Sequence, residues 1–219
     1  MSLRVEAGVA RRQIVGVCRQ LHERGWVAAC DGNVSLRRGR KILITPGARY
    51  KAILRPEEIA EITLDGEVLS GQPSSETVMH LEVYRRCPEA VAVVHAHPPT
   101  AIAWSIAFPE ASELPVDAVA EVLLATGGIP FVPYAHPGTA AVAEALRPFL
   151  PDHRLLVLRR HGAVCWGESL EEAYFGIERL EHAATLLMTA SMLGGLSSLP
   201  KDEVDHLRQT RLAMGPRLL

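Results

Sequence analysis

One short segment constrains the fold of this 219-residue chain more than any other. Ala90–Val94 is an unbroken apolar run (AVAVV), and it ends in His95. It is short, β-branched and without polar alternation. Such a run reads as a central strand covered on both faces. Pro98-Pro99 ends it, because proline removes a ladder donor.

The segments around it mix hairpins with helices. Residues 6–24 place Val9, Ile14, Val17, Cys18 and Leu21 at helical spacing, and Gly25 stops them. Val34–Arg37 and Lys41–Thr45 flank Arg38-Gly39-Arg40 as a hairpin. Pro56-Glu57-Glu58 opens a helical turn, and Ile62–Leu64 and Val68–Leu69 flank the turn signal Asp65-Gly66. Ser74 or Ser75 reads as the N-cap of a helix that ends near Cys87-Pro88. Further helices are expected over Thr100–Ile106, Asp117–Ala125 and Gly138–Phe149, with a short strand at Phe131–Tyr134. Leu155–Leu158 and Ala163–Trp166 form a last hairpin around Arg159-Arg160-His161-Gly162. Ser169 and Glu172 have capping-box spacing at the start of a helix that runs to Leu193, and residues 201–212 form a terminal helix. Hairpins interleaved with helices predict an α+β chain rather than a doubly wound parallel sheet. Trp104, Trp166 and Tyr134 read as packing residues.

Composition limits the chemistry. A net charge of −2 and a pI near 6.5 argue against a nucleic-acid partner held by bulk electrostatics. Of 23 basic residues only Lys41, Lys51 and Lys201 are lysines, so Schiff-base chemistry has three candidates. Cys18, Cys30, Cys87 and Cys165 are scattered and read as free thiols of a reducing, cytoplasmic compartment. The N-terminal stretch lacks the apolar core of a secretory signal. Residues 114–134 come closest to a membrane span, but Asp117, Glu121 and Gly127-Gly128 interrupt them, so no membrane partner is expected.

Two constellations carry chemistry. In His95-Ala96-His97, residues i and i+2 of an extended chain face one side, so two imidazoles project together from the end of a buried strand. His161, in the last hairpin turn, and Glu76, behind Ser74-Ser75, complete a set of three imidazoles and one carboxylate that suits catalytic zinc. Taken singly, each has an ordinary structural role: a satisfied polar histidine, or a carboxylate at a helix start. The second constellation is three donor-rich loops, Asp31-Gly32-Asn33, Thr45-Pro46-Gly47 and Ser74-Ser75. They suit a small anion, and each alone is also ordinary turn chemistry.

The ordered motifs D-G-N-V-S, I-T-P-G, P-S-S-E-T, V-V-H-A-H-P and R-H-G-A-V-C-W-G resemble the class II aldolase/adducin family, fuculose-phosphate aldolases in particular. The resemblance covers about residues 10–190. It implies a single αβα domain over residues 1–219, with a largely antiparallel sheet flanked by helices and a partly helical tail over 196–219. It also implies a homotetramer with active sites at subunit interfaces. His95, His97 and His161 would hold one Zn2+ per subunit, or another divalent cation. Glu76 would act as acid/base and ligate the metal when no substrate is present. Gly32, Asn33, Thr45, Gly47, Ser74 and Ser75 would form the phosphate pocket.

The reaction implied is retro-aldol cleavage of a ketose 1-phosphate, fuculose 1-phosphate-like or 5-deoxy, to dihydroxyacetone phosphate and an aldehyde. None of the three lysines falls in these motifs, so the metal takes the place of a Schiff base. Sugar-phosphate 4-epimerases are similar but usually carry Asp at the position of Glu76. Methylthioribulose-phosphate dehydratases use a later glutamate, close to Glu121, where fuculose-phosphate aldolases tend to have a tyrosine. Glu121 is therefore a second candidate catalytic carboxylate. A 3-oxo-tetronate-phosphate decarboxylase would share the enediolate chemistry, and a non-catalytic adducin-like scaffold is the rival of a different class. The tail tyrosine of the family aldolases has no counterpart, since the last tyrosine is Tyr174.

Overall fold

The computed structural model describes residues 3–215 and 217. Residues 1, 2, 216, 218 and 219, part of the N-terminal stretch and of the expected tail, lie outside the described residues. The strands are β1 (Asn33–Arg38), β2 (Lys41–Ile44), β3 (Ala60–Thr63), β4 (Val68–Ser70), β5 (Ala92–Ala96), β6 (Phe131–Val132), β7 (Leu155–Leu158) and β8 (Gly162–Gly167). They form one sheet in the order β4-β3-β2-β1-β5-β8-β7-β6. β5 is buried along its length and pairs antiparallel with β1 on one side and β8 on the other. Among the described residues, only the β6–β7 pair is parallel.

The helices are α1 (Leu3–Glu23), α2 (Thr77–Arg86), α3 (Pro99–Ala107), α4 (Ala120–Thr126), α5 (Ala140–Leu146), α6 (Leu170–Leu193) and α7 (Lys201–Met214). Alternate residues of the central strands enter two separate cores. Val94 and Ala96 pack with Ile14 and Leu21 of α1, Trp104 of α3 and Ile177 and Leu180 of α6. Val93, Leu156 and Trp166 pack with Met79 and Val83 of α2 and Val142 and Leu146 of α5. Each fully buried Val, Leu or Ile contributes roughly 1.5–3 kcal/mol, so β5 is anchored from both faces. The result is the expected α+β, helix–sheet–helix arrangement. Among the described residues, no helix is long and apolar enough to cross a membrane.

Four local expectations are corrected. α2 starts at Thr77, with Glu76 as the residue at its N-cap and no side-chain cap bond. Ser74 Oγ instead accepts from the Glu76 N–H at 3.3 Å, a turn of the entering loop. β6 ends at Val132, so Tyr134 lies past the strand and is 59% exposed rather than packed. The helix expected over Gly138–Phe149 is α5 alone, followed by a 3₁₀ turn at Arg147–Phe149, where Pro148 cannot continue the ladder. The capping box of α6 is only half made. Ser169 Oγ accepts from the Glu172 N–H, but the Glu172 carboxylate accepts from the N–H of Glu168, one residue before the cap.

That displaced carboxylate joins a buried ion pair that fastens α6 to the sheet. The Arg154 guanidinium, just before β7, donates to Glu172 and Glu168, both at 2.8 Å. It also lies 4.5 Å over the Trp166 ring. Arg154→Met removes the nearest cation from the buried Glu172 carboxylate. Loss of one partner of a buried pair should cost about 3 kcal/mol. Urea denaturation of the variant measures it, and an unchanged midpoint would show that the pair does not hold the helix.

Candidate active site

Strand register assembles the site. Asn33, the first residue of β1, lies opposite His95 of β5, and His95 lies opposite Val164 of β8. His95 is fully buried. Its Nδ1 bonds the Ala163 carbonyl at 2.9 Å, which fixes the proton on Nδ1 and leaves Nε2 as a free lone pair. His97 follows β5, with its N–H donating to the Trp26 carbonyl, and its Nε2 lies 3.1 Å from Nε2 of His95. The two imidazoles do project together.

His161 arrives from the β7–β8 turn. Arg160 sits there at φ +59°, in left-handed backbone, and its N–H donates to Ser105 Oγ at 3.0 Å. The Arg159 guanidinium donates to the carbonyls of Ser105, Phe108 and Ala111 at the end of α3. The turn is therefore clamped to α3, and His161 points back to the pair. Gly162 is required at this position. A Cβ there would lie 2.6 Å from the Ala96 carbonyl and 2.7 Å from the His97 ring. Gly32 faces the same demand from the other side. At φ +69° its Cβ would lie 2.9 Å from the His95 carbonyl oxygen.

Glu76 closes the set. Its Oε2 lies 3.1 Å from His95 Nε2, and its Oε1 lies 3.2 Å from His161 Nε2. The Oε1 contact lacks hydrogen-bond alignment, so this buried oxygen has no donor. Burial favours the protonated acid, but the neighbouring His161 and His95, with Asn33, overcome it and hold Glu76 well below the usual carboxylate range. Burial first, then the nearby His95 and His161, push His97 down to about 3. At neutral pH the group is a carboxylate beside a neutral His97.

This set fits a divalent cation. The ligand atoms of His95, His97 and His161 all lie within 4.8 Å of one another. Ligands about 2.0–2.1 Å from a tetrahedral zinc are roughly 3.3 Å apart, close to the 3.1 Å between His95 and His97 and the 3.1 and 3.2 Å from Glu76 to His95 and His161. The orphaned Oε1 of Glu76 faces the same point, and a cation would satisfy it.

A hydrogen-bonded chain behind Glu76 was not anticipated from sequence. Asn33 Nδ2 donates to Glu76 Oε2 at 2.9 Å. Asn33 Oδ1 is bonded by Nε2 of His80, whose Nδ1 meets Ser35 Oγ at 2.7 Å, and Ser35 Oγ meets the Tyr84 hydroxyl at 2.8 Å. Since Asn33 Oδ1 only accepts, His80 carries its proton on Nε2. Ser35 then donates to Nδ1 and accepts from Tyr84. The protons on Ser35, His80 and Asn33 point toward Glu76, while the Tyr84 hydroxyl also reaches the Val91 carbonyl at 3.5 Å, and the Asn33 amide is locked with its NH2 on the carboxylate. One sequence signal was available: Glu76 and His80 are four apart at a helix start and share a face.

Beside this set lies an open cleft of about 230 Å³. Gly32, Asn33, Gly47, Ser74, Ser75 and Glu76 line it, together with His97 and His161. The two anion loops are paired: Ser74 N–H donates to the Thr45 carbonyl at 3.1 Å, and Gly47 N–H to that of Gln72 at 3.3 Å. Thr45 does not reach the cleft. It is fully buried, and its Oγ1 accepts from the Val34 N–H. Glu121 is exposed in the first turn of α4 and does not line the cleft. Lys51, in contrast, does line it, although no motif included it. The chain turns at Gly47-Ala48 and returns through a 3₁₀ turn, Lys51–Ile53, beneath the 30–33 loop.

The largely antiparallel sheet carries three imidazoles and a glutamate at one strand end, beside a loop-lined cleft, and so presents a candidate metal site. Residues 12–188 match the model of the class II aldolase and adducin N-terminal domain, and the chain belongs to that family. It is 33% identical over 178 residues to L-fuculose phosphate aldolase of Methanocaldococcus jannaschii, covering 81% of this chain and 95% of that protein. It is 34% identical to 3-oxo-tetronate 4-phosphate decarboxylase of Escherichia coli (strain CFT073), covering 81% and 85%. The crystal structure of YgbL from Escherichia coli, described under aldolase, epimerase and decarboxylase together, superposes with a TM-score of 0.85 at 31% identity. That match covers 92% of this chain and 99% of the other.

The relay makes the fold acid-sensitive. Burial pushes His80 down to about 3 from an ordinary value of 6.5. Between those values the unfolded chain binds a proton that the folded chain does not. Stability therefore falls as pH drops below about 6.5. His97 adds a contribution of the same sign. His80→Gln should flatten part of the slope of urea midpoints between about pH 6.5 and pH 4.5. An unaltered slope would show that His80 carries none of it.

Proposed function

We propose that this protein is a cytoplasmic class II aldolase, a homotetramer holding one zinc ion per subunit. It would cleave a ketose 1-phosphate to dihydroxyacetone phosphate and an aldehyde. The observation that carries this reading is the orphaned Glu76 carboxylate oxygen, which faces three imidazoles beside a cleft with paired donor loops. His95, His97 and His161 are the metal ligands in this reading, with Glu76 joining them when no substrate is present. A divalent cation held there supplies Lewis acidity toward the oxygens of a keto-alcohol. The chain's own residues do the rest. Ser74, Ser75 and the Gly47 loop bind the phosphate and orient the ketose. Glu76, locked by Asn33, sits where it can exchange a proton with C3. In cleavage it takes up the proton released from the C4 hydroxyl, directly or through water, and gives one to C3 as the C3–C4 bond breaks; in synthesis it removes the C3 proton and the C4 oxygen is protonated. Thr45 acts behind the cradle, fixing its loop to β1. Glu121 serves proton transfer only at a site that spans two subunits, because it lies outside the cleft of its own chain.

A second reading has specific support. The decarboxylase relative and the YgbL superposition favour cleavage of a 3-oxo-tetronate 4-phosphate. Loss of CO2 from that acid leaves the enediolate of dihydroxyacetone phosphate, and Glu76 would protonate the same kind of carbon. The two reactions share one product and differ in the other fragment. The glutamate at position 76, where epimerases usually carry aspartate, weighs against epimerisation.

A panel of ketose 1-phosphates and 3-oxo-tetronate 4-phosphates decides between them, with aldehyde, CO2, epimer and dehydration readouts. Glu76→Gln should lower kcat by about 10²-fold or more with metal content near wild type. His95→Ala should lose both metal and turnover. Full activity in Glu76→Gln would overturn the assignment of the acid/base. No turnover of any substrate would favour the scaffold alternative.

A further inference from the structure

Lys51 is an unusual lysine. Its side chain is 2% exposed, yet among the described residues it forms no ion pair with a carboxylate. Its Nζ donates to the Cys30 carbonyl at 2.9 Å and to the Arg49 carbonyl at 2.8 Å. An ammonium has three donors, so one remains. Burying a charge without a counter-ion is expensive, and proteins keep such charges where a partner arrives.

The surroundings name the partner. Lys51 lines the cleft with Gly47, Ser74 and Ser75, and no other lysine or arginine does among the described residues. Gly47 packs against the Ser74-Ser75 backbone, with the site of a missing Cβ 3.6 Å from Ser74 Cα and 3.8 Å from Ser75 N. Two carboxylates, Asp31 and Glu76, line the same cleft. Among the described residues lining the cleft, Lys51 alone offers a fixed positive charge against those two carboxylates. The two backbone carbonyls restrain the ammonium, so little side-chain entropy remains to be lost on binding.

We propose that Lys51 is the charged anchor for the phosphate of the substrate, its third proton donated to a phosphate oxygen and its charge offsetting Asp31 and Glu76. This deepens the reading of the cleft as a sugar-phosphate site and rests on it. Lys51 then sets specificity for phosphorylated over free ketoses, and the chemistry at the imidazole end does not involve it.

The test is calorimetric titration of zinc-loaded wild-type protein and Lys51→Met with inorganic phosphate, then with dihydroxyacetone phosphate and free dihydroxyacetone. Loss of a charged hydrogen bond should weaken both phosphate ligands about tenfold or more, with zinc content and free dihydroxyacetone binding unchanged. Phosphate affinity within about twofold of wild type, or no phosphate binding by the wild-type protein, overturns the proposal. Where Lys51→Met does not fold, lysine-selective NMR of the wild type replaces it, since the chain has only three lysines. The Lys51 ammonium signal should shift on phosphate addition while those of Lys41 and Lys201 stay, and an unmoved Lys51 signal overturns the proposal. A protein that turns over no ketose phosphate yet binds phosphate through Lys51 would reject the aldolase reading and leave this inference standing.

Discussion

The register of β5 between β1 and β8 is the constraint on which the site depends. It sets His95 opposite Asn33 on one side and Val164 on the other, at the point where the sheet meets its loops. A slip of one residue would turn every side chain of β5 to the opposite face. Both faces of β5 are packed, so each such slip would bury His95 in an apolar core and expel a valine. The same hydrophobic burial that selects the fold therefore fixes the imidazole to within the tolerance a metal site requires.

Burial creates a demand that the polar groups answer among themselves. A carboxylate and three imidazoles removed from water need partners. Backbone carbonyls and the Asn33–His80–Ser35–Tyr84 chain satisfy the outward-facing atoms. The inward-facing lone pairs are left pointing at one another, with Glu76 Oε1 unsatisfied. That arrangement is unfavourable for a structural core and suits a cation. Gly32 and Gly162 mark how closely backbone and rings approach, because neither position has room for a Cβ.

Much of this was legible from residues alone. The AVAVV run identified the central strand but left its pairing open, and β5 pairs antiparallel with both neighbours. The His95–His97 pair was legible because its i, i+2 spacing is local, whereas His161 and Glu76 joined it only through the order of motifs that carries the family resemblance. Other features were not local. Thr45 looked like a ligand-binding hydroxyl and instead braces β1, since its side chain points into the sheet. Lys51 lay outside every motif, and only the return of the chain through Lys51–Ile53 brings it under the cleft. Glu121 suited a catalytic carboxylate by sequence, yet α4 carries it to the surface of its own chain. Ser74 and Ser75 resembled a helix cap, but the loop turns once more before α2 begins.

The central claim is that three imidazoles and the Glu76 carboxylate form one cation site. X-ray absorption at the zinc edge on the zinc-loaded protein tests it most directly. The account predicts one zinc per chain, three imidazole nitrogens and oxygen at about 2.0–2.2 Å, and no sulfur, with one nitrogen scatterer lost in His161→Ala. Substoichiometric zinc, or a sulfur-containing shell unaffected by loss of His161, would contradict it.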